Sequence, residues 1–142
     1  MPRQRTLSII KPDAMNSKLS GSIIKFIEEK GFKILAQKKI ILTRKQAEAF
    51  YAIHKERPFF GELVDFMISG PISVQVLEAD NAVILYREIM GSTNPEEAKN
   101  DTIRKLFGQN IQCNAVHGSD SEENAVIAVS YTHLTLPTIL LV

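Results

Sequence analysis

The chain of 142 residues is 44% hydrophobic and 23% charged, enough apolar material for one globular domain with a closed core. Its 17 Lys and Arg stand against 16 Asp and Glu, a net charge of +1, so no overall field draws it to nucleic acid or anionic lipid. The single cysteine, Cys113, excludes an internal disulfide and any multi-cysteine metal site; it fits a reducing compartment and reads as a small buried hydrophobe. Behind the basic Met1–Arg5 the apolar run covers only Leu7 to Ile10, short of a signal-peptide core, and no run approaches the roughly 20 residues that cross a bilayer. A cytoplasmic protein without a membrane span is expected.

Thr6–Ile10 reads as a strand, stopped by Lys11-Pro12. Leu19, Ile23, Ile24, Phe26, Ile27 and Phe32 keep helical spacing, with Ser20 or Ser22 available as cap and Gly31 as a left-handed end. A second strand runs from Phe32 to Leu42, with Ile34, Ala36, Ile40 and Leu42 inward and Lys33, Lys38 and Lys39 on a solvated face. Thr43-Arg44-Lys45-Gln46 is a capping box that opens a helix carrying Ala47, Phe50 and Tyr51 inward and ending near His54. After Arg57-Pro58-Phe59-Phe60, another helix carries Leu63 to Ile68 and stops at Ser69-Gly70-Pro71; one of the paired phenylalanines is spare from the core. Ile72 to Ala79 is the clearest strand, and Asp80 or Asn81 caps a helix that Gly91 closes after Met90.

From Ser92 to Asn114 the periodicity weakens into a long loop of polar residues suited to binding phosphate. A last strand, Ile111 to Val116, is expected to lead into a surface turn at His117, followed by a helix from Ser121. In Asn114-Ala115-Val116-His117-Gly118-Ser119-Asp120-Ser121 one histidine sits among small hydrogen-bonding neighbours: Gly118 permits a sharp turn or close approach, and Ser119 and Asp120 can orient a ring nitrogen or cap a helix. A solvated polar turn would look the same.

Lys11, Arg87 and Arg104 stand at element ends or in loops; gathered around His117, they would neutralise a phosphate chain. Neither Gly-x-x-x-x-Gly-Lys-Ser/Thr nor Gly-x-Gly-x-x-Gly occurs, so nucleotide would be handled by side chains. His54, His117 and His133 have no metal-ligand spacing, and without Gly-x-Ser-x-Gly Ser119 is a poor acyl-transfer nucleophile.

The chain resembles the nucleoside diphosphate kinases. The likeness rests on Thr6–Asp13, Arg57-Pro58-Phe59-Phe60, Ser69-Gly70-Pro71, Gly91–Pro95, Thr102-Ile103-Arg104 and Asn114–Ser121, in that order. It implies transfer of the terminal phosphate of ATP or another nucleoside triphosphate to a nucleoside diphosphate, through a phosphorylated His117 and with ping-pong kinetics. By the same likeness Lys11 would contact the sugar hydroxyl and transferring phosphate, and Tyr51 would lie beside His117. Arg87, Thr93 and Arg104 would hold phosphates, Asn114 would bond the ribose 3′-hydroxyl, and Phe59 would stack on the base with little edge reading. Ser119 and Asp120 would support the histidine. Magnesium (Mg2+) would ride on the nucleotide rather than on protein side chains. Structural readings compete: Tyr51 and Phe59 as core aromatics, Arg87 as a helix C-terminal charge, Thr93 as a cap.

The implied fold is α+β: a ferredoxin-like βαββαβ domain, its four-stranded antiparallel sheet covered by helices on one face, with additional flanking helices. The implied assembly is a homo-oligomer, tetramer or hexamer. The likeness runs from about Arg5 to Ile127, which sets a kinase domain at 1–127 and an atypical tail at 128–142 that contains no Asp, Glu, Lys or Arg. Where the family has a glutamate bracing the histidine, this chain has Ala128. That departure leaves a catalytically impaired nucleotide-binding relative as the alternative. A nucleic-acid module on the same sheet is disfavoured by a first strand without aromatics and a net charge near zero.

Overall fold

The computed structural model describes residues 3–118. Four strands, β1 (Arg3–Ile10), β2 (Lys33–Ile40), β3 (Ile72–Asp80) and β4 (Val116–Gly118), form one sheet in the order β2-β3-β1-β4. Every neighbouring pair is antiparallel. Helices α1 (Pro12–Asn16) and α2 (Ser20–Glu29) join β1 to β2. Between β2 and β3 come α3 (Arg44–Phe50), a 3-10 turn at Ala52–His54 and α4 (Phe60–Met67); α5 (Ala82–Met90) and α6 (Ile103–Phe107) lead from β3 to β4. This is the ferredoxin-like βαββαβ order, with α3 and α4 inserted at its middle connection. Among the described residues, no helix is long and apolar enough to cross a membrane.

The alternation of β1 sends its side chains into two cores. On one face Ile10, Leu77, Ala79 and Val116 meet Ile23, Phe26 and Ile27 of α2, Tyr86, Ile89 and Met90 of α5, and Ile103 of α6. On the other, Leu7, Ile9, Ile72 and Val74 pack against Tyr51 and Met67, with Phe50, Phe60, Leu63 and Phe66 closing the edge. Each fully buried side chain of this size contributes about 1.5 to 3 kcal/mol. The sheet is therefore covered on both faces rather than one, since β3 is buried along almost its whole length and only the α3–α4 insertion can shield its second side. His117 pairs with Ile9 and so faces that insertion, while Val116 packs into the first core and Gly118 pairs with Ser8.

Several local expectations change. The capping box forms as read, Thr43 accepting from the Gln46 amide and Gln46 from the Thr43 amide. By contrast α2 has Leu19, not a serine, at its N-cap, and the Asn81 side chain does not cap α5; Gln4 on β1 accepts from the Val83 amide there instead, at 2.9 Å. A bulge between Ile34 and Ala36 shifts the register of β2 and leaves Leu35 37% exposed, and the consecutive Lys38 and Lys39, opposite Val74 and Ser73, point to different faces, so the three lysines do not share one outer face. The Ser92–Asn114 segment is no uninterrupted loop: α6 lies within it and buries Ile103 and Arg104. The last strand is only three residues long, because Asn110 Oδ1 gathers the amides of Gln112 and Cys113 into a turn and Ala115 adopts φ +75. His117 thus sits half-buried in a strand, not on a surface turn.

Candidate active site

β1 ends in the site. Its backbone runs directly into Lys11, whose amide donates to the Ala115 carbonyl at 2.8 Å, while the Ala115 amide donates to Asp13 Oδ2 at 3.1 Å. This clip joins the start of α1 to the approach of β4. Lys11, only 6% exposed, then directs its ammonium to Asn114 Oδ1 at 2.7 Å, and Asn114 Nδ2 donates to the Thr93 carbonyl at 3.0 Å. Three distant segments are held in one place by a single amide.

Arg104 comes from the first turn of α6, where Thr102 accepts from the Lys105 amide as cap. Its guanidinium donates to the Gly91 carbonyl at 3.1 Å and the Val116 carbonyl at 2.9 Å, and its Nε is buried with no partner among the described residues. Gly91, at φ +86, also lets the end of α5 lie against the α6 cap: a Cβ there would stand 2.6 Å from Thr102 Oγ1. Between these groups and α4 lies a cavity of about 570 Å³, lined by Lys11, Arg87, Thr93, Arg104, Asn114, His117 and Gly118 together with His54, Phe59, Glu62, Leu63, Ile111 and Gln112. Its lining is of two kinds: cations and amides surround His117, while the exposed Phe59 (47%) and Ile111 (59%) supply an apolar mouth.

The Tyr51 ring meets the imidazole of His117 edge-on at 5.4 Å between centroids, and Phe50 does so at 5.9 Å. Burial, reinforced by the positive charges of Lys11, Arg104 and Arg87, lowers the His117 pKa to about 3. The imidazole is therefore neutral at physiological pH, with a lone pair for a nucleophile's work. Burial and the Arg104 charge likewise lower Lys11 to about 8. A site that holds three cations against one another in this way is built for a multiply charged anion, whose arrival relieves their repulsion.

A family model described as nucleoside diphosphate kinase matches residues 4–134. The chain belongs to the nucleoside diphosphate kinase family. A nucleoside diphosphate kinase of Novosphingobium aromaticivorans is 59% identical over 127 residues, covering 89% of this chain and 91% of that protein. One from Chlamydia felis is 60% identical over 128 residues, covering 90% and 91%. Among solved structures, the nucleoside diphosphate kinase of Aquifex aeolicus superposes with a TM-score of 0.88 at 46% identity, over 92% of this chain and 94% of that one. That of Halobacterium salinarum, solved in complex with CDP, gives 0.87 at 33% identity over 92% and 87%. Nucleoside diphosphate kinase is accordingly this chain's enzyme class, and it moves the terminal phosphate between nucleotides through a phosphohistidine.

Of the positions that the likeness to nucleoside diphosphate kinases singled out, Lys11, Phe59, Arg87, Thr93, Arg104, Asn114 and His117 all line the one cavity. Tyr51 does not line it; it stands behind His117, 2% exposed, its hydroxyl kept protonated by burial and without a partner among the described residues. Thr93 caps no helix, and Phe59 lies outside both cores. Ser119, Asp120, Ala128, the helix expected from Ser121 and the 128–142 tail lie outside the described residues. The sequence reading missed five lining residues. Glu62 and Leu63 follow Phe59 at helical spacing and were legible as its neighbours. His54 stacks on Tyr51 at 6.4 Å, a pair three residues apart, and tilts against Phe59 at 5.7 Å, a contact that no helical spacing announces. Ile111 and Gln112 have strand composition in the sequence but precede the strand, which begins at Val116, and line the cavity instead.

Proposed function

We propose that His117 is the phosphate acceptor and that the rest of the cavity seats a nucleotide with its phosphates toward it. The observation that carries this reading is the convergence of seven residues from separate segments on one cavity, with a neutral imidazole at its cationic end. An imidazole nitrogen attacks the terminal phosphorus of the triphosphate; the P–N bond forms as the P–O bond to the next phosphate breaks, and the diphosphate leaves with the electron pair. A terminal phosphate oxygen of the second diphosphate then attacks the same phosphorus and returns the imidazole to its starting state. One phosphoanhydride replaces another, so the exchange needs no other energy source.

Arg87, Arg104 and Thr93 bind phosphate oxygens, and the unpartnered Nε of Arg104 is a buried donor well suited to one of them. Lys11 reaches the transferring phosphate and the sugar. Asn114 Oδ1 already accepts from Lys11 and keeps a second lone pair for the ribose 3′-hydroxyl. Phe59 stacks on the base at the apolar mouth. Tyr51 fixes the plane of the imidazole, and Ser119 and Asp120 support it. Magnesium fits this donor set as a guest of the nucleotide: the cavity offers cations and hydroxyls that suit phosphate oxygens, and Glu62 is the only carboxylate among its described lining residues. Bound there, the metal supplies charge neutralisation on the phosphate chain.

We read residues 1–127 as the catalytic domain and 128–142 as an atypical tail, the protein being cytoplasmic and assembling as a tetramer or hexamer. Light scattering settles the assembly. If the missing glutamate matters, Ala128→Glu raises turnover, and equal rates would count against that idea. The reading as a whole is tested with terminally labelled triphosphate. Acid-labile, base-stable label should appear on the protein and be absent from His117→Ala; label retained by that variant would overturn the assignment.

A further inference from the structure

His117 owes its place to a strand of three residues. Among the described residues β4 pairs on one side only, with β1, in the register Ile10 to Val116, Ile9 to His117 and Ser8 to Gly118. So short a ladder fixes its register weakly, and a slip of one residue would turn His117 from the α3–α4 side to the opposite core. The backbone that enters the strand is strained. The Asn114 carbonyl accepts from the Val116 amide at 2.9 Å across Ala115, which stands at φ +75 and is fully buried. A γ-turn of that hand disfavours any residue with a Cβ, so an alanine stays in it only where its surroundings hold it there.

The start of α1 holds it. The Lys11 amide donates to the Ala115 carbonyl at 2.8 Å, and Asp13 Oδ2 accepts from the Ala115 amide at 3.1 Å. The first of these bonds is backbone to backbone and survives any side-chain change; the second depends on the aspartate. Asp13 is half-buried in the first turn of α1, directly after Pro12, and is not among the residues that line the cavity. We propose that Asp13 is a positioning residue for phosphate transfer: by holding the Ala115 amide it keeps the left-handed turn that delivers His117 to the cavity in register. The proposal rests on the reading of His117 as the phosphate acceptor. Phe59, Arg87, Thr93 and Arg104 reach the cavity from other segments, so loss of Asp13 spares most of the nucleotide seat and falls on the transfer step.

The test is single-turnover phosphorylation of the full chain by terminally labelled ATP with magnesium, followed against enzyme concentration so that the limiting rate separates from nucleotide affinity. The limiting rate does not depend on the fraction of chain that is folded, so a purely structural role would leave it unmoved. Asp13→Ala should lower it at least about tenfold, with affinity within about threefold of the parent. Asp13→Asn, which keeps an acceptor for the Ala115 amide and loses the charge, should stay within about threefold. Adding Ala115→Gly to Asp13→Ala should recover about five- to tenfold, because glycine takes a positive φ without the penalty, whereas Ala115→Gly alone should change the rate less than about twofold. Rescue from 102 residues away separates this role from a favourable charge at the start of α1. An unchanged limiting rate in Asp13→Ala, an Asp13→Asn variant as slow as Asp13→Ala, or no recovery in the double variant overturns the proposal. If Asp13→Ala does not fold, Asp13→Ser, too short to reach the Ala115 amide, takes its place in the same comparison. Failure of the underlying reading looks different: label would then persist in His117→Ala.

Discussion

Replacing Gly118 with alanine puts a methyl group where the structure has no room for one. A Cβ built there stands 2.7 Å from both Cδ2 and Cε2 of Tyr86 and 3.0 Å from Met90 Cε, against the 3.4 Å at which ordinary contact begins. The tyrosine cannot swing aside: it is fully buried, its hydroxyl is 2.6 Å from Ser8 Oγ, and its ring meets Phe32 edge-on at 5.8 Å. Relief has to come from β4, which must lift by about 0.7 Å if Tyr86 holds its place. Overpacking of this kind costs about 1 to 3 kcal/mol. The same movement displaces His117, the preceding residue on the other face of β4, relative to the groups around it, and a displacement approaching 1 Å lowers a positioned reaction by up to roughly a hundredfold. Urea unfolding should therefore show the stability loss, and single-turnover phosphorylation from ATP a rate at least about tenfold lower. Stability within about 0.5 kcal/mol of the parent together with an undiminished rate would refute this account of what places His117.

The pH profile tests Lys11. Its pKa, lowered by burial and by Arg104 to about 8, means the ammonium is present below that pH and lost above it, so kcat/KM should fall along an alkaline limb centred near 8. Lys11→Arg, slower but charged throughout, should lack that limb; a wild-type profile flat to pH 9.5, well above about 8, would contradict the shift. Phe59→Ala should raise KM about two- to tenfold through lost stacking and leave thermal stability almost unchanged, because 47% of Phe59 is exposed and neither core includes it. A large fall in melting temperature would make it a structural aromatic instead.

What the sequence disclosed follows the range of the interaction concerned. The Thr43–Gln46 box and the Gly31 helix end were legible because every participant lies within a turn of the others. At the α5 N-terminus Asn81 does stand at the N-cap position, but the side-chain acceptor is Gln4, supplied from 79 residues away. The last strand was drawn too long because Ile111 to Val116 has strand composition, while the Asn110 turn and the positive φ of Ala115 break it from within. Two-sided cover of the sheet was hidden for a similar reason: the alternation in Ile72–Asp80 marks two faces, but which helices cover each is settled by the α3–α4 insertion. In the site, the family motifs supplied the residues, and the structure supplied their joint placement and the residues at the mouth.

The clip between Asp13 and Ala115 also sets a timetable for biosynthesis. β1 is an inner strand, flanked by β3 and β4, yet β4 is the last described strand to be made. Lys11 and Asn114 are 103 residues apart in the chain, so at about 5–20 residues per second the ribosome takes roughly 5 to 20 seconds to deliver the second after the first. For that interval one edge of β1 has no strand beside it, and the amide of Lys11 has no carbonyl to meet. A nascent chain arrested before residue 114 holds most of the core together with Lys11, Phe59, Arg87, Thr93 and Arg104 but lacks Asn114 and His117, so the site is the last part of the described fold to be completed.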